Sequence, residues 1–561
     1  MSTWEDRNPD GDIPQAPGRF SERGQIYTGD MASKKSIILE RELAVPARDG
    51  TRLFVNLFRP PAEGPHPVII SVTPYGKDVL PDRLATFFMR LTGVKFGEVN
   101  CSRLTGFESP DPVYWVQQGY AVLQADARGK HRSEGEAGVL RPQEAEDFYD
   151  LVEWTASQPW CTGRVGLLGV SYLAMSQWYV AALKPPHLSA IVPWEGVSDL
   201  YRELAFHGGI PETRFVPTWF RMRIRRGRNW RFPLAEDFLA ERDRHVLDDE
   251  YWAMKRPILE NIDVPALICA NWSDHGLHTR GSIAGFERIS STQKWLFTHG
   301  RKKWETFYGD EALACQKQFL DHFLRDLDNG QERVPRVRLE IRKAYYQQDV
   351  RHEDSWPPPS VEPLPLYLCA NTQRLHREPV TDEGKARYRP GRRSGRAAFA
   401  LTFERAAELV GSMRVKLWIS TSEGDDLDLF VVVHKLDAAG REVLFSGYNG
   451  YERDAAAKGW LRASHRELDA SRSTPLRPWH RHARMEKLRA GDIVPLEIEI
   501  WPSATLFEAG STLQLTIQGH DAARYPAFGH RRLVNRGCHT IFTGGPYDSC
   551  MVVPLNNRGS Q

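Results

Sequence analysis

Cysteine is scarce and scattered in this chain of 561 residues. Seven stand at 101, 161, 269, 315, 369, 538 and 550; the number is odd and no C-x-x-C occurs. That pattern does not fit a disulfide framework or a zinc ribbon. The thiols read instead as small buried core residues. An excess of either charge is also missing. Lys and Arg number 74 against 72 Asp and Glu, a net charge of +2, so neither a polyanion nor a membrane surface is demanded. No apolar run approaches the ~20 residues of a membrane helix. The opening MSTWEDRNPDGDIPQAPGRF carries charges where a signal peptide needs an apolar stretch. The expectation is a soluble cytoplasmic protein with no nucleic-acid or membrane partner. Glycine and proline follow no period, and no internal repeat stands out.

What is present is ordinary globular material, 41% hydrophobic and 26% charged. At roughly 100–200 residues per domain the length allows about three or four units. Residues 1–34 are polar and read as a loose arm. From 35 the pattern is a β-hairpin about Arg48-Asp49-Gly50, then short Val, Ile, Leu and Ala runs at 65–76, 119–129, 163–171, 188–196, 264–274 and 294–300. Helical patterns at 141–159 and 172–184 separate several of them. Strands apolar on both faces, alternating with helices, predict a parallel sheet in an α/β domain. The alternation breaks at 197–258, an aromatic and charged insertion that reads as a helical cap, and resumes over 259–330. From 331 to 561 the pattern is short strands between Gly-, Pro-, Asp- and Asn-rich turns, which predicts an all-β sandwich.

The strongest chemical signal is Gly169-Val170-Ser171-Tyr172-Leu173-Ala174, which follows an apolar strand and opens a helix. A nucleophile elbow needs that context, because a sharp strand-to-helix turn exposes the Ser Oγ and small flanking residues relieve the crowding. The pentapeptide G-x-S-x-G is not matched, since Leu occupies 173 and Ala174 comes one later. The partners of such a serine follow in the order Ser, Asp/Glu, His, at the ends of later strands. Asp274 and His299 fit that order. A serine hydroxyl is a weak nucleophile until an imidazole takes its proton, and a carboxylate fixes the tautomer of that imidazole. Asp263, His275 and His278 are rivals nearby. Asp274, His275 and His278 together also suggest a metal, but no further ligand set completes one, so no metal and no cofactor is expected.

These motifs, together with RDGTRLFVNLFRP, TPYGKD, DARGKHRSEGE, NWSDHG and THG, resemble the CocE/NonD hydrolases of the X-prolyl dipeptidyl-peptidase (S15) superfamily over roughly residues 38–555. The resemblance implies an α/β-hydrolase domain with an inserted cap and a C-terminal jelly-roll. It implies Ser171 as nucleophile, Asp274 as triad acid, His299 as base, Tyr75 as oxyanion-hole phenol and the Tyr172 N–H as second donor. Two features depart from the family. Leu296-Phe297-Thr298 replaces a Gly-Pro-Trp ahead of His299, and the basic loop GRKKWE follows it.

Three further groups stand out in the sequence. Trp194, Trp272 and Trp304 stand near strand ends and either line an acyl pocket or fill the core. Arg221, Arg223, Arg225, Arg226, Arg228 and Arg231 read as a solvated cap face or as partners of the acids at 236–250, with an anionic substrate as the alternative. Asp425, Asp426 and Asp428 lack the spacing of a calcium loop and read as structural. The expected activity is hydrolysis of a small-molecule carboxylic ester through an acyl-enzyme. An amidase or X-prolyl-type aminopeptidase is the alternative, and such a peptidase needs an acidic subsite that the sequence does not single out. A carbohydrate-binding protein on an inactive scaffold fits an intact Ser, Asp, His and Tyr set poorly. A homo-oligomer is compatible with the resemblance.

Overall fold

The computed structural model of the chain describes residues 25–27, 37–78, 97–448, 451–521 and 528–557. Most of the arm expected at 1–34 lies outside these residues; its Gln25–Tyr27 forms a short strand, β1. The strands β2 (Ile37–Pro46), β3 (Arg52–Arg59), β4 (His66–Thr73), β5 (Ala121–Asp126), β6 (Cys161–Val170), β7 (Leu188–Trp194), β8 (Ala266–Asn271), β9 (Lys294–His299) and β10 (Val337–Ala344) make one sheet. Its order is β1-β2-β3-β5-β4-β6-β7-β8-β9-β10. The first pairings are antiparallel, and from β5 to β10 every pairing is parallel. Parallel neighbours require crossovers. Here they are the helices α1 (Pro112–Gln117), α2 (Pro142–Ala156), α3 (Tyr172–Ala181), α4 (Thr279–Arg288), α5 (Lys303–Phe307) and α6 (Asp310–Arg325).

The residues explain the layering. β5 is buried at every position, as befits a central strand covered on both faces. In α2, Pro142 starts the helix, where its missing N–H costs nothing. Ala145, Phe148, Leu151, Val152 and Thr155 fall on one face and are buried. α3 is buried all round, consistent with its apolar composition. One core cluster joins Val55, Val68, Phe148, Leu151, Leu173, Ile268 and Ile283; a second, holding Ile69, Trp194, Trp295, Phe297 and Phe319, is shared with α6.

Between β7 and β8 the chain makes short helices and one small antiparallel pair, Phe206–His207 with Ile210–Pro211. Within the expected helical cap, the stretch 236–257 forms two pieces, Phe238–Arg244 and Glu250–Met254. Asp237 and Asp249 each accept hydrogen bonds from backbone N–H groups at the start of one piece.

Beyond β10 the chain is β-rich. The long strand Ala407–Thr421 alternates buried and half-buried positions, the period of a sheet with one face in a core. It pairs antiparallel with Val494–Phe507, His539–Thr543 and Cys550–Asn556. Asp428–Leu436 pairs with Ala457–Arg462 and Thr512–Gln518. Their inward residues, among them Leu417, Val431, Ile498 and Leu515, make a separate core. Asp428 holds Arg462 and Asp426 accepts from the Ser464 and Leu427 N–H groups, so two of the three acids at 425–428 are engaged in internal bonds. All seven cysteines are free. No helix of the described residues is long and apolar enough to cross a membrane.

Candidate active site

Ser171 sits at φ 60° and ψ −117° between β6 and α3. A non-glycine residue holds so strained a conformation only where its surroundings force it. Its N–H bonds Trp194 O at 3.1 Å, which pins the turn to the end of β7. The small residues expected of an elbow are accounted for by packing. A Cβ on Gly169 would stand 2.5 Å from the Leu173 Cβ, so Gly169 makes the room for leucine at 173. Ala174 lies under Gly196, where a Cβ would approach it to 3.1 Å. Gly169 thus accommodates the leucine that departs from G-x-S-x-G.

The imidazole beside Ser171 is His278. Ser171 Oγ and His278 Nε2 are 3.1 Å apart, and His278 Nδ1 bonds the Asp274 carboxylate. The chain after β8 explains how both partners arrive from one segment. Asp274 follows the strand, Gly276 turns at φ 97°, and His278 stands at the N-terminus of α4. Thr279 Oγ1 closes the turn on Asn271 O at 2.6 Å. His275 points the other way, to Pro502 O at 2.9 Å and to the Lys458 N–H at 3.2 Å, and docks the turn on the C-terminal strands. Of Asp274, His275 and His278, only the first and last meet.

His299, the base expected from the order of strands, is not against Ser171. It is fully buried at the end of β9, and its Nε2–H donates to Glu195 Oε1 at 3.0 Å while its Nδ1 accepts the Arg301 N–H at 3.3 Å. Strand alternation is the reason. His299 shares a face with Trp295 and Phe297, which belong to the core layer under α6, whereas α3 and α4 pack on the other layer. Burial, with Arg301 nearby, pushes the His299 imidazole down to about 3, so it stays neutral. The sequence signal for His278 is its i+4 spacing from Asp274 across a glycine turn into a helix.

Tyr75 follows β4. Its hydroxyl accepts a hydrogen bond from Trp219 Nε1 at 3.2 Å, which leaves its own O–H free to donate. The ring meets Phe107 and Tyr172 edge-on at 5.4 and 6.2 Å. Burial, with the Glu108 charge, pushes the phenol far above its usual range, so it stays protonated. Tyr172 anchors its ring through Glu144 Oε2 at 2.6 Å and the Leu140 N–H at 3.0 Å. Its backbone N–H is the first of α3, a position with no acceptor within the helix.

The three tryptophans divide. Trp194 is core, against Phe297 and Phe307. Trp272 stacks on Trp356 and donates to Glu340 O at 2.9 Å. Trp304 instead reaches the site side, 5.7 Å from Phe107, with Nε1 donating to Glu108 Oε1 at 3.2 Å. Glu108 was not anticipated. It is buried, its backbone O accepts the Val170 N–H just ahead of Ser171, and its Oε2 has no partner. Burial pushes this carboxyl up to about 7.

The arginine run is mostly exposed at Arg221, Arg225, Arg226 and Arg231. Arg228 lies over Trp230 at 4.0 Å. Arg223 lies over Phe107 at 5.7 Å, and its charge reaches Tyr75 and Glu108. The acids at 236–250 are engaged elsewhere: Glu236 with Lys255, Glu241 with Arg244, Asp243 with Arg242 and Arg532, and Asp248 with Arg202 and Arg256.

Glu195, Asp274 and His278 could together reach a metal ion, as could Glu195, Cys269 and His299. The first of these places already holds a cation of the chain itself. Lys303 Nζ is 3.2 Å from Asp274 Oδ2 and 3.9 Å from Glu195 Oε2.

Two family models match the chain, one after the other. The X-Pro dipeptidyl-peptidase (S15 family) model matches residues 49–302, and that of the X-Pro dipeptidyl-peptidase C-terminal non-catalytic domain matches residues 329–551. The cocaine esterase of Rhodococcus sp. (strain MB1 Bresler) is 30% identical over 384 residues, 58% of this chain and 62% of that protein. A putative serine esterase of Mycobacterium bovis is 25% identical over 73% of this chain and 80% of its own length. A crystal structure of a CocE/NonD family hydrolase from Staphylococcus aureus superposes with a TM-score of 0.90 at 40% identity, covering 93% of this chain and 94% of that one.

Proposed function

We propose that this chain, which belongs to the CocE/NonD family of the S15 hydrolase superfamily, is a serine esterase acting through Ser171, His278 and Asp274. The contact that carries the reading is Ser171 Oγ to His278 Nε2 at 3.1 Å, with Nδ1 of the same ring on Asp274. With the proton on Nδ1, the Nε2 lone pair accepts the Ser171 hydroxyl proton. Oγ attacks the ester carbonyl carbon, and the carbonyl oxygen becomes an oxyanion facing the Tyr75 O–H and the Tyr172 N–H. The tetrahedral intermediate collapses, the C–O bond to the alcohol breaks, and His278 returns the proton to the departing oxygen. A water molecule, deprotonated by His278, then attacks the acyl carbon; the C–Oγ bond breaks, the acid leaves, and His278 returns the proton to Ser171 Oγ.

The same proposal keeps the division into a hydrolase part at 35–196 and 259–330, a cap at 197–258 and a C-terminal part from 331 of jelly-roll type. Supporting it are the parallel sheet, the short helices between β7 and β8 and the separate C-terminal core. A small carboxylic ester is the expected substrate. The aminopeptidase reading draws on the buried Glu108, whose unpartnered oxygen could meet a substrate ammonium.

A fluorophosphonate should label the native protein at Ser171, as located by peptide mass spectrometry, and Ser171→Ala should not be labelled. Labelling at another serine would overturn the assignment. Faster cleavage of X-Pro p-nitroanilides than of p-nitrophenyl esters would favour the peptidase reading. Tyr75→Phe keeps the ring packing and removes one donor. It should lower kcat by ~10²–10³ with KM little changed, because the bond strengthens as charge develops on the oxyanion. A normal kcat in that variant would remove Tyr75 from the oxyanion hole.

A further inference from the structure

We propose that Lys303 is a positioning residue for this array, its buried ammonium keeping Asp274 ionised and making His278 a base that stays free at low pH, with Glu195 and His299 holding it in place. This rests on His278 being the base. Lys303 belongs to the GRKKWE loop, which the triad itself does not use. Its Nζ is 3.1 Å from His278 Nδ1 and 3.2 Å from Asp274 Oδ2, and the residue is 3% exposed. A buried ammonium is strongly unfavourable unless paired, and here two buried carboxylates pair it. The second, Glu195, is itself fixed by His299 Nε2–H at 3.0 Å and Asn271 Nδ2–H at 3.1 Å.

Two groups compete at His278 Nδ1, the Lys303 ammonium and the Asp274 carboxylate. A lysine ammonium only donates, so it competes with the Nδ1 proton for the space beside the ring. If Lys303 donated to a bare Nδ1, Nε2 would carry the hydrogen and point it at Ser171, which is unproductive. An ionised Asp274 prevents this by holding the proton on Nδ1. Burial alone would raise the Asp274 carboxyl, but the Lys303 ammonium beside it and His278 hold it below the ordinary carboxylate range. The same ammonium repels a proton from His278. Burial and then Lys303 lower that imidazole, against Asp274 and Glu195, which raise it. The imidazolium formed during turnover is correspondingly a stronger acid toward the departing alcohol.

The other charges around His278 do not offset this. Arg280, two residues along α4, is neutralised by Glu203 and Glu499. Glu108 acts on Lys303, and the Tyr448 ring covers Nζ at 5.1 Å from the C-terminal part. His299 stays neutral.

The test is the pH profile of kcat/KM for p-nitrophenyl acetate, and of the rate of fluorophosphonate labelling, in the full-length protein. Lys303→Met keeps the stem and removes the charge. Lys303→Met with Glu195→Gln removes an opposite charge as well, so the site stays balanced if the single variant does not fold. In Lys303→Met the acid limb should move up by roughly one to three pH units, the size of a neighbouring-charge effect; in the double variant it should still move up but by less, because Glu195 itself raises His278. A purely structural lysine would lower the amplitude and leave the limb in place, which would overturn the proposal. In the wild type, histidine ¹⁵N NMR, assigned by His278→Gln, should give a midpoint for His278 below the ordinary 6.5. A midpoint at or above that value would overturn it without any lysine variant. Failure of the underlying reading shows separately, as turnover that survives Ser171→Ala.

Discussion

His278→Ala should lose on the order of 10⁴–10⁶ in kcat, the scale of removing a member that acts as a unit with the nucleophile. His299→Ala should lose less than about 10², the range of an indirect displacement of the reacting groups. The pair of variants is decisive because both residues are buried histidines next to carboxylates, and only one of them touches Ser171. The costs should be reversed for stability. His299→Ala leaves the buried Glu195 Oε1 without its donor, an unpaired group worth about 1–3 kcal/mol. Thermal unfolding measured beside kcat separates the two effects. A His299→Ala enzyme as inactive as His278→Ala, yet folded, would restore His299 as the base.

Asp274→Asn should cost ~10⁴ in kcat, the loss seen when a triad carboxylate becomes an amide and the tautomer is no longer held. Here the mechanism of the loss is specific. Asp274 Oδ2 receives both the His278 Nδ1–H and the Lys303 ammonium. An asparagine N–H in that place would donate to Nδ1 and drive the hydrogen to Nε2, facing Ser171. Fluorophosphonate labelling of Ser171 should slow in parallel with ester turnover, since both need the serine proton removed. Near-normal labelling in a folded Asp274→Asn enzyme would show that His278 keeps its tautomer without the carboxylate.

The sequence by itself determined the parts that depend on local order. Alternating apolar strands and amphipathic helices specify a parallel sheet, because strands covered on both faces cannot carry polar residues in alternation. A glycine two residues before Ser171 and a helix straight after it specify the elbow, since its geometry lies within one turn. Asp274, at the end of a buried strand, is legible on the same ground. The partner of Asp274 and the use of the GRKKWE loop are decided elsewhere. His278 follows β8 and His299 ends β9, neighbouring strands that finish at the same sheet edge, and chain order permits either. Which one meets Ser171 depends on the layer each faces. The period of two turns His299 toward the layer under α6, and the Gly276 turn returns His278 to the layer of α3 and α4. Lys303 and Glu195, 108 positions apart in number, meet only because α5 and the end of β7 converge on one edge. Charges brought together by packing leave no spacing in the sequence, and the low polarity of the buried edge is what makes their contact matter.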